Sequence, residues 1–427
     1  MTADDAEIAS RVLEVVEEVT AEVTSGGARH GVRLDSRLDR DLGLDSLAVV
    51  EVLARLEDRF GVTLPEDALT RAECPADLVT LVGHASPHAR VAPLARVSLR
   101  PAAPHPATTS ASAASTLVGV LDAYADDDPD RLHLRTVVEG DDEPMTYGDL
   151  RRRAGETAAG LAARGVGPGD RVALMLPTAP GYFTTFFGVL LAGAIPVPIY
   201  PPTRRSQIED HLRRHAGILD NAGAVMLVTV PEARRLGRVL RTHVPMMASV
   251  VTPAELAAPG EPEPRPTLAA GDLALIQYTS GSTGSPKGVG LTHANLLANI
   301  GAMGEAAAVT PADVFVSWLP LYHDMGLIGA WLGSLCLGMP LVVMSPAAFL
   351  TRPARWLRTI AEVGGTISAS PNFGYELCIS KIDDSELKGL DLSSWRLAFN
   401  GAEAVRPETI EHFATRFAPF GFRAEAR

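Results

Sequence analysis

One stretch of the chain, from Gln277 to Asn295, has the residue types of a phosphate-binding loop. Only Tyr, Thr, Ser and Gly occupy positions 278–284, and Lys287 follows shortly after. Small residues let backbone N–H groups and hydroxyls approach phosphate oxygens closely, and a lysine adds a mobile positive charge. Ser-Gly-Ser-Thr-Gly is also the composition of a flexible linker. The position of the stretch between two apolar segments favours a phosphate site.

This loop differs from a Walker A loop, in which Gly-Lys-Ser/Thr opens a helix. Here Pro286 precedes Lys287, and residues 289–291 are an extended run. The following helix is expected to begin later, with Thr292 as its N-cap. Lys287 is one of three lysines among 38 lysines and arginines, which favours a specific role for it.

Three polar turns in the second half of the chain each follow a strand-like run. Because ligands of open α/β sheets bind beyond the carboxyl ends of the strands, we expect the turns and the loop to converge on one crevice. The runs and their turns are Val314–Leu319 with 320–324, Gly365–Ser370 with 371–375, and Trp395–Phe399 with 400–403.

Each turn also has a purely structural interpretation. His323 is compatible with a hydrogen-bonded histidine near the core, and Asn400-Gly401 with ordinary turn chemistry. Ser370 precedes a proline that would end a strand, and Glu403 is compatible with an acid at a helix start. The four structural interpretations would have to coincide in one chain.

Alternating strand-like and helical patterns from Thr116 onward predict a doubly wound α/β domain. Ser206 opens a capping box for a helix that runs to about position 220. The strand-like runs outside the three turns are Arg171–Leu176, Ala194–Ile199, Ala224–Thr229 and Leu341–Met344.

The first 84 residues have the pattern of four helices. Apolar residues recur at steps of three and four from Ile8 to Val23, and a second such pattern runs from Leu47 to Phe60 before Gly61. Residues 62–69 and 75–82 predict a short third helix and a fourth. Residues 85–115 are rich in Pro, Ala, Ser and Thr and predict a linker. The predicted domains are therefore 1–84, an all-α module, and 116–427, an α/β domain, with 85–115 between them.

The charge distribution restricts the classes of partner. The net charge is −13, and residues 1–85 hold 18 acidic residues against eight arginines. Nucleic acids and anionic membranes require a basic surface, so both are disfavoured as partners. The uncharged stretch 325–351 is interrupted by Gly338-Met-Pro340 and predicts a buried helix and strand rather than a membrane span. Three widely spaced cysteines and an acidic N-terminus without an apolar segment favour the cytoplasm.

The phrase Asp-Leu-Gly-Leu-Asp-Ser-Leu at 41–47 closely resembles the acyl carrier protein family, although an isolated Asp45-Ser46-Leu47 would favour a simple helix N-cap. The resemblance implies that Ser46 carries 4′-phosphopantetheine, attached by a phosphopantetheinyl transferase. A hydroxyl at a helix N-terminus suits an attached phosphate. Glu51, Glu57 and Asp58 are compatible with a solvated helix face, and the resemblance also implies docking of partner enzymes there.

Residues from about 116 to 427 resemble the adenylate-forming (AMP-binding) superfamily, and within it the fatty acyl-AMP ligases. The motifs that carry the resemblance are 278–288, 319–327, 370–373 and 400–403. The resemblance implies that ATP and Mg²⁺ activate a fatty acid as an acyl-adenylate. The acyl group then passes to a pantetheine thiol, feeding a downstream polyketide or nonribosomal peptide synthase.

The resemblance also implies roles for individual residues. His323 and Lys287 are expected to be catalytic, and His323 to lie near the carboxylate and α-phosphate. Ser370, Phe373 and Trp331 are expected to contact the substrate, the latter two in the acyl tunnel. The expected ATP and AMP contacts are Thr279, Ser280, Gly281, Ser282, Thr283, Gly284, Lys287, Asn400, Gly401, Ala402 and Glu403.

The chain departs from the family pattern at its end. A Tyr-Gly-x-x-Glu phrase, whose Glu helps to hold Mg²⁺, and a lid domain with its lysine do not occur in the 427 residues. We therefore expect no metal ligand within the chain and little adenylation by it alone. The alternatives are a carrier or interaction protein with a vestigial adenylation domain, an acyl-CoA ligase, and an amino-acid-activating domain.

Overall fold

The computed structural model describes residues 3–23, 31–38, 40–44, 46–65, 68–87, 111, 113–138, 141–200, 208–260, 264–279 and 287–426. No helix within these ranges is both long enough and apolar enough to cross a membrane. The three cysteines are free thiols.

The N-terminal module contains four helices in its described part, as predicted. They are α1 (Ala3–Val23), α2 (Ser46–Phe60), α3 (Ala68–Arg71) and α4 (Pro75–Gly83). The predicted apolar face of α1 is confirmed, because Val12, Val15 and Val19 are at most 1% exposed. They pack with α2 and α4 into a core separate from that of the rest of the chain.

The third helix of this module is shorter than predicted. Val62–Thr63 forms strand β1, which pairs antiparallel with β2 (Ser86–Pro87), and α3 begins only at Ala68. β-branched residues favour extended structure, and Pro65 disfavours helix at the residue before it. The pairing also brings two residues of the predicted linker into the structure of the module. Most of that linker, residues 88–110, lies outside the described residues.

The larger domain alternates helices and strands in the predicted manner. Its strands are β3 (Leu132–Val138), β4 (Asp141–Thr146), β5 (Arg171–Met175), β6 (Ile195–Pro198), β7 (Ala224–Thr229), β8 (Ser249–Val251), β9 (Leu273–Thr279), β10 (Lys287–Thr292), β11 (Phe315–Ser317), β12 (Leu341–Val343), β13 (Ile367–Ser370) and β14 (Leu397–Asn400). Its α-helices are α5 (Leu117–Asp127), α6 (Tyr147–Ala162), α7 (Pro180–Leu191), α8 (Ile208–Ala222), α9 (Arg234–His243), α10 (Pro253–Leu256), α11 (His293–Ala306), α12 (Gly333–Leu337), α13 (Pro346–Thr351), α14 (Ala354–Val363), α15 (Asn372–Lys381) and α16 (Pro407–Phe417).

Two mostly parallel sheets organise this domain. One has the strand order β14-β13-β11-β12-β3-β4, and only the β3–β4 pair is antiparallel. The other has the order β6-β5-β7-β8 and is parallel throughout. Strands β9 and β10 pair antiparallel with each other. The mixed α/β prediction is therefore confirmed.

Local sequence signals explain several element boundaries. Thr292 is the N-cap of α11, and its hydroxyl accepts a hydrogen bond from the amide of Asn295 at 3.1 Å. Pro407 occupies the first turn of α16, where its missing N–H costs nothing. Gly338 adopts a left-handed φ of 69° and ends α12 before β12, so the apolar stretch 325–351 divides where predicted.

Candidate adenylate-forming site

The phosphate-loop candidate connects the two strands of a hairpin. Thr279 at the end of β9 lies opposite Lys287 at the start of β10 in the antiparallel register. Lys287 is exposed, so its ammonium can reach a ligand beside the loop. The predicted contacts Ser280, Gly281, Ser282, Thr283 and Gly284 lie outside the described residues.

A glutamine side chain joins this hairpin to the His323 turn. The Gln277 amide nitrogen donates a hydrogen bond of 2.6 Å to the backbone carbonyl of Tyr322. Its amide oxygen is buried and has no hydrogen-bond partner in the described structure. A buried acceptor without a partner is costly unless a ligand or water satisfies it. Gln277 stood at the start of the loop stretch, but its type alone gave no reason to assign it a role.

The His323 turn follows β11 and is held by hydrogen bonds from backbone amides. The amide of Leu327 donates to the carbonyl of His323 at 2.8 Å, and the Asp324 carboxylate accepts from the amide of Met325 at 2.8 Å. A π-helix, Met325–Leu332, begins directly after the turn. A Cβ on Gly326 would lie 2.3 Å from the Pro320 carbonyl oxygen, so only glycine fits there.

The environment of His323 favours its neutral form. Its side chain is exposed at the turn, yet desolvation by the surrounding protein lowers the pKa of the imidazole, against the opposing effect of the Asp324 charge. The ring lies beside Tyr322, with centroids 5.0 Å apart. A neutral imidazole can both donate and accept a hydrogen bond.

The turns after β13 and β14 form one hydrogen-bonded unit. The amide of Gly401 donates to the carbonyl of Ser370 at 3.4 Å, and the Glu403 carboxylate accepts from the amide of Phe373 at 2.7 Å. Asn372 is buried and its side-chain oxygen accepts from the side-chain amide of Asn400 at 3.3 Å. These contacts arise because parallel strands β13 and β14 end at the same edge of the sheet.

Residues 400–402 form the side of this unit that lies next to Met325, the residue after the His323 turn. A Cβ on Gly401 would lie 3.9 Å from the Met325 sulfur. Ala402 has a φ of 66°, which is uncommon for a residue with a side chain. Such strain persists only where the surroundings impose it, and it concentrates at ligand-binding turns. The Asn400 side-chain oxygen is buried and has no partner among the described residues.

An aromatic cluster lies beneath the Ser370 turn. Trp318 stacks on Phe349 with ring centroids 3.9 Å apart, and Phe373 contacts its edge at 5.8 Å. Phe373 is 38% exposed, so one face remains available to an apolar ligand. A Cβ on Gly374 would lie 2.1 Å from the Ser370 hydroxyl oxygen and 2.8 Å from the Trp318 ring. Trp318 was not singled out from the sequence, because its position at a strand end gave no signal beyond core packing.

Trp331 lies in the buried aromatic core of the larger domain. It is fully buried and contacts the rings of Tyr182, Phe183, Phe186 and Phe187. Its indole N–H donates to His133 at 3.0 Å. Packing among these side chains accounts for its burial, and its assignment to an acyl tunnel stays a prediction.

The predicted phosphopantetheine position lies on the helical module. Ser46 is the first residue of α2, and its side chain lies outside the described atoms. The N-terminus of a 15-residue helix attracts an attached phosphate. Within the described ranges, no three or more His, Cys, Asp or Glu side chains are grouped to hold a metal.

The helical module and the parallel sheet with polar turns at its strand ends have the architecture of a carrier domain joined to an adenylate-forming domain. Residues 121–422 match the family of AMP-binding enzymes, and the chain belongs to that family. Residues 10–82 match the phosphopantetheine attachment site family.

Similar proteins act on fatty acids, according to their names. The chain is 36% identical over 286 residues to the medium-chain-fatty-acid–[acyl-carrier-protein] ligase JamA of Moorena producens, covering 66% of this chain and 48% of JamA. It is 35% identical over 322 residues to the long-chain-fatty-acid–AMP ligase FadD26 of Mycobacterium bovis, covering 72% and 54%. The fatty acyl-adenylate ligase of L. pneumophila, solved with acyl adenylate and pyrophosphate, matches with a TM-score of 0.67 and 36% identity, covering 74% and 54%. The chain thus spans about half the length of the relatives it matches.

Proposed function

We propose that this chain contributes the carrier and the nucleotide-binding part of a fatty acyl-AMP ligase. The observation that carries the proposal is the hydrogen-bonded contact of the Ser370 and Asn400 turns at the carboxyl ends of parallel strands, with Met325 beside Gly401. The Gln277 side chain joins the β9–β10 hairpin to the His323 turn. The fatty-acid relatives support this substrate class. The proposed domains are 1–84, 85–115 and 116–427.

In the proposed reaction, a fatty acid carboxylate oxygen attacks the α-phosphorus of ATP. The bond from that phosphorus to the bridging oxygen breaks, and pyrophosphate leaves with the electron pair. Bringing two anions together makes positioning and charge compensation the main requirements. Lys287 and the 279–284 loop would hold the β- and γ-phosphates. His323 in its neutral form would donate a hydrogen bond to an oxygen of the carboxylate or α-phosphate.

The adenine is proposed to lie against residues 401–403. The Glu403 carboxylate holds this turn in place by accepting a hydrogen bond from the amide of Phe373. The carbonyl of Ser370 accepts a hydrogen bond from the amide of Gly401 in the same turn. Phe373, with its exposed face beside Trp318, is proposed to contact the start of the acyl chain. Trp331, which is fully buried, is proposed to line a deeper part of the acyl tunnel.

Two further groups complete the proposed chemistry. Mg²⁺ would neutralise the negative charge of the phosphates. Because Mg²⁺ binds mainly water and substrate phosphates, it needs no cluster of protein ligands. A phosphopantetheine arm on Ser46 or another carrier, placed by a phosphopantetheinyl transferase, would supply the thiol that replaces AMP. A polyketide or nonribosomal peptide synthase would consume the thioester. The free thiols of the chain agree with a reducing cytoplasm.

The substrate class is tested with non-hydrolysable sulfamoyl analogues of the adenylate, measured by calorimetry on this chain. We expect the fatty acyl analogue to bind more tightly than an aminoacyl analogue, because the exposed face of Phe373 beside Trp318 suits an apolar chain. Tighter binding of the aminoacyl analogue, or no binding of either, would contradict the proposal.

The phosphate role is tested with ATP alone. Lys287→Ala should weaken ATP binding roughly tenfold, about 1.4 kcal/mol, as expected for a lost charge-assisted contact. Lys388→Ala, at an exposed lysine outside the site, is the matched control and should leave ATP binding unchanged. Equal effects of the two variants would remove Lys287 from the site.

A further inference from the structure

The second helix of the carrier module contacts the larger domain through an ion pair at Glu57. The Arg352 guanidinium lies 3.2 Å from both oxygens of the Glu57 carboxylate. The Glu57 side chain is only 12% exposed and that of Arg352 30% exposed. Because both partners are largely withdrawn from water, this pair is screened less than an ordinary surface ion pair.

A second ion pair lies six residues nearer the N-terminus of α2, at Glu51. Lys381, the last residue of α15, bonds to the Glu51 carboxylate, which also accepts from Arg55 at 2.7 Å. Burial alone would raise the pKa of the Glu51 carboxyl, but Lys381 and Arg55 lower it below its usual value. Lys381 is one of only three lysines in the chain.

An apolar contact accompanies the two ion pairs. Leu350, near the end of α13, packs against the core of the carrier module and also against the core of the larger domain. Leu350, Arg352 and Lys381 therefore form a small face, the α13–α15 face, with an apolar residue and two cations. The charge of this face complements the carrier module, whose residues 1–85 contain 18 acidic residues against eight arginines.

We propose that the α13–α15 face is a docking site for the carrier module of the same chain, which it binds through the acidic side of α2. Ser46 is the first residue of the docked helix. Docking therefore fixes where the proposed phosphopantetheine attachment point lies relative to the larger domain. While docked, Glu51 and Glu57 are unavailable to any other protein that recognises this side of α2. The carrier module must therefore leave the α13–α15 face before another protein can bind this side of α2. This docking concerns the carrier and does not depend on the reaction proposed above.

The contact can be tested by zero-length crosslinking of the full chain. A carbodiimide activates the Glu51 carboxyl, the Lys381 amine displaces the activating group as a urea, and an amide joins the two side chains. We expect peptide mapping to find the 51–381 link as the main lysine crosslink to the carrier module. Lys381→Arg keeps the positive charge but lacks the reactive amine, so it should abolish the link. Lys388→Arg is the matched control and should retain it.

Isotope mixing distinguishes the same chain from a second copy. A mixture of unlabelled and ¹⁵N-labelled protein should give linked peptides that are entirely unlabelled or entirely labelled. Linked peptides with one labelled and one unlabelled member would overturn docking within one chain. The same conclusion would follow if the 51–381 link were absent, or if Lys287 and Lys388 were linked to the carrier module in the same yield as Lys381.

The second ion pair offers an independent measurement. Arg352→Glu places two carboxylates together and should lower the yield of the 51–381 link at least fivefold. Arg423→Glu makes the same change of charge at an exposed site and should leave the yield unchanged. An unchanged yield with Arg352→Glu would contradict the proposed face.

Discussion

The backbone amide of Phe373 donates a 2.7 Å hydrogen bond to the carboxylate of Glu403, 30 residues further along the chain. The acceptor is a carboxylate, and the donor belongs to the first turn of α15, whose N–H groups have no acceptor within the helix. The bond ties the turn after β14 to the first turn of the helix that follows β13. The side chain with the proposed adenine role therefore also fixes the geometry of its own turn.

Glu403→Ala is expected to lower both stability and ligand affinity. Loss of the hydrogen bond should cost about 1 kcal/mol of unfolding free energy, because the site is exposed and water replaces the acceptor. AMP binding should weaken about fivefold, which corresponds to the same free energy. Thermal unfolding and calorimetry measure the two effects. Glu411→Ala, at an exposed position of α16, is the matched control and should change neither. An intact AMP affinity in Glu403→Ala would show that the turn holds its shape without this bond.

Gly326→Ala is expected to disturb the His323 turn. The added Cβ would lie 2.3 Å from the Pro320 carbonyl, a backbone atom that cannot rotate away. We expect a loss of about 1–3 kcal/mol in unfolding free energy, as for other overpacked sites, together with weaker adenylate-analogue binding.

Gly329→Ala provides the control in the same π-helix. A Cβ at Gly329 meets no atom within 4 Å, and alanine favours helical structure over glycine. This variant should be neutral or slightly stabilising. Equal destabilisation by the two substitutions would mean that the helix, and not the contact with Pro320, limits the turn.

The sequence predicted the features that depend on local chemistry. The N-cap at Thr292 and the helix end at Gly61, which has a φ of 63°, follow from side-chain and backbone preferences of single residues. The contact between the turns after β13 and β14 followed from the parallel arrangement of these two strands.

Contacts between distant segments could not be predicted in the same way. The Arg396 guanidinium bonds to both oxygens of the Asp313 carboxylate, at 2.7 and 2.8 Å across 83 residues, and so fixes the start of β14 relative to β11. The Gln277–Tyr322 bond spans 45 residues. Arginine, aspartate and glutamine are common in loops, and only the relative position of the strands selects these pairs.

Two buried histidines should make stability depend on pH. Burial lowers the pKa of His133 to about 3 and that of His293 to about 4. In the unfolded chain a histidine has a pKa near 6.5, so between these values the unfolded state binds more protons. Stability is therefore retained above pH 6.5 and falls as the pH decreases toward the folded-state pKa. At pH 5 each histidine should cost about 2 kcal/mol relative to pH 7.

Substitution of each histidine measures its share of this dependence. His133→Gln keeps an acceptor for the Trp331 N–H, and His293→Asn keeps one for the amide of Leu117. Urea unfolding followed by tryptophan fluorescence reports on the larger domain, which contains all four tryptophans. Either variant should reduce the difference between pH 7 and pH 5 by about 2 kcal/mol, whatever its stability at pH 7. His412→Gln, at an exposed position, controls for the substitution itself. A difference unchanged by both buried-site variants would contradict the assignment.

Ser46→Ala should abolish attachment of a phosphopantetheine arm. Ser46 begins α2, and the N-terminus of a helix stabilises an attached phosphodiester. An alanine at this position has no hydroxyl to act as the nucleophile. Incubation with a phosphopantetheinyl transferase and CoA should add one arm to the wild-type chain, measured by intact mass. Ser10→Ala, at an exposed position of α1, is the matched control and should still accept one arm. An unmodified wild-type chain, or an arm that persists in Ser46→Ala, would show that the carrier module does not use this serine.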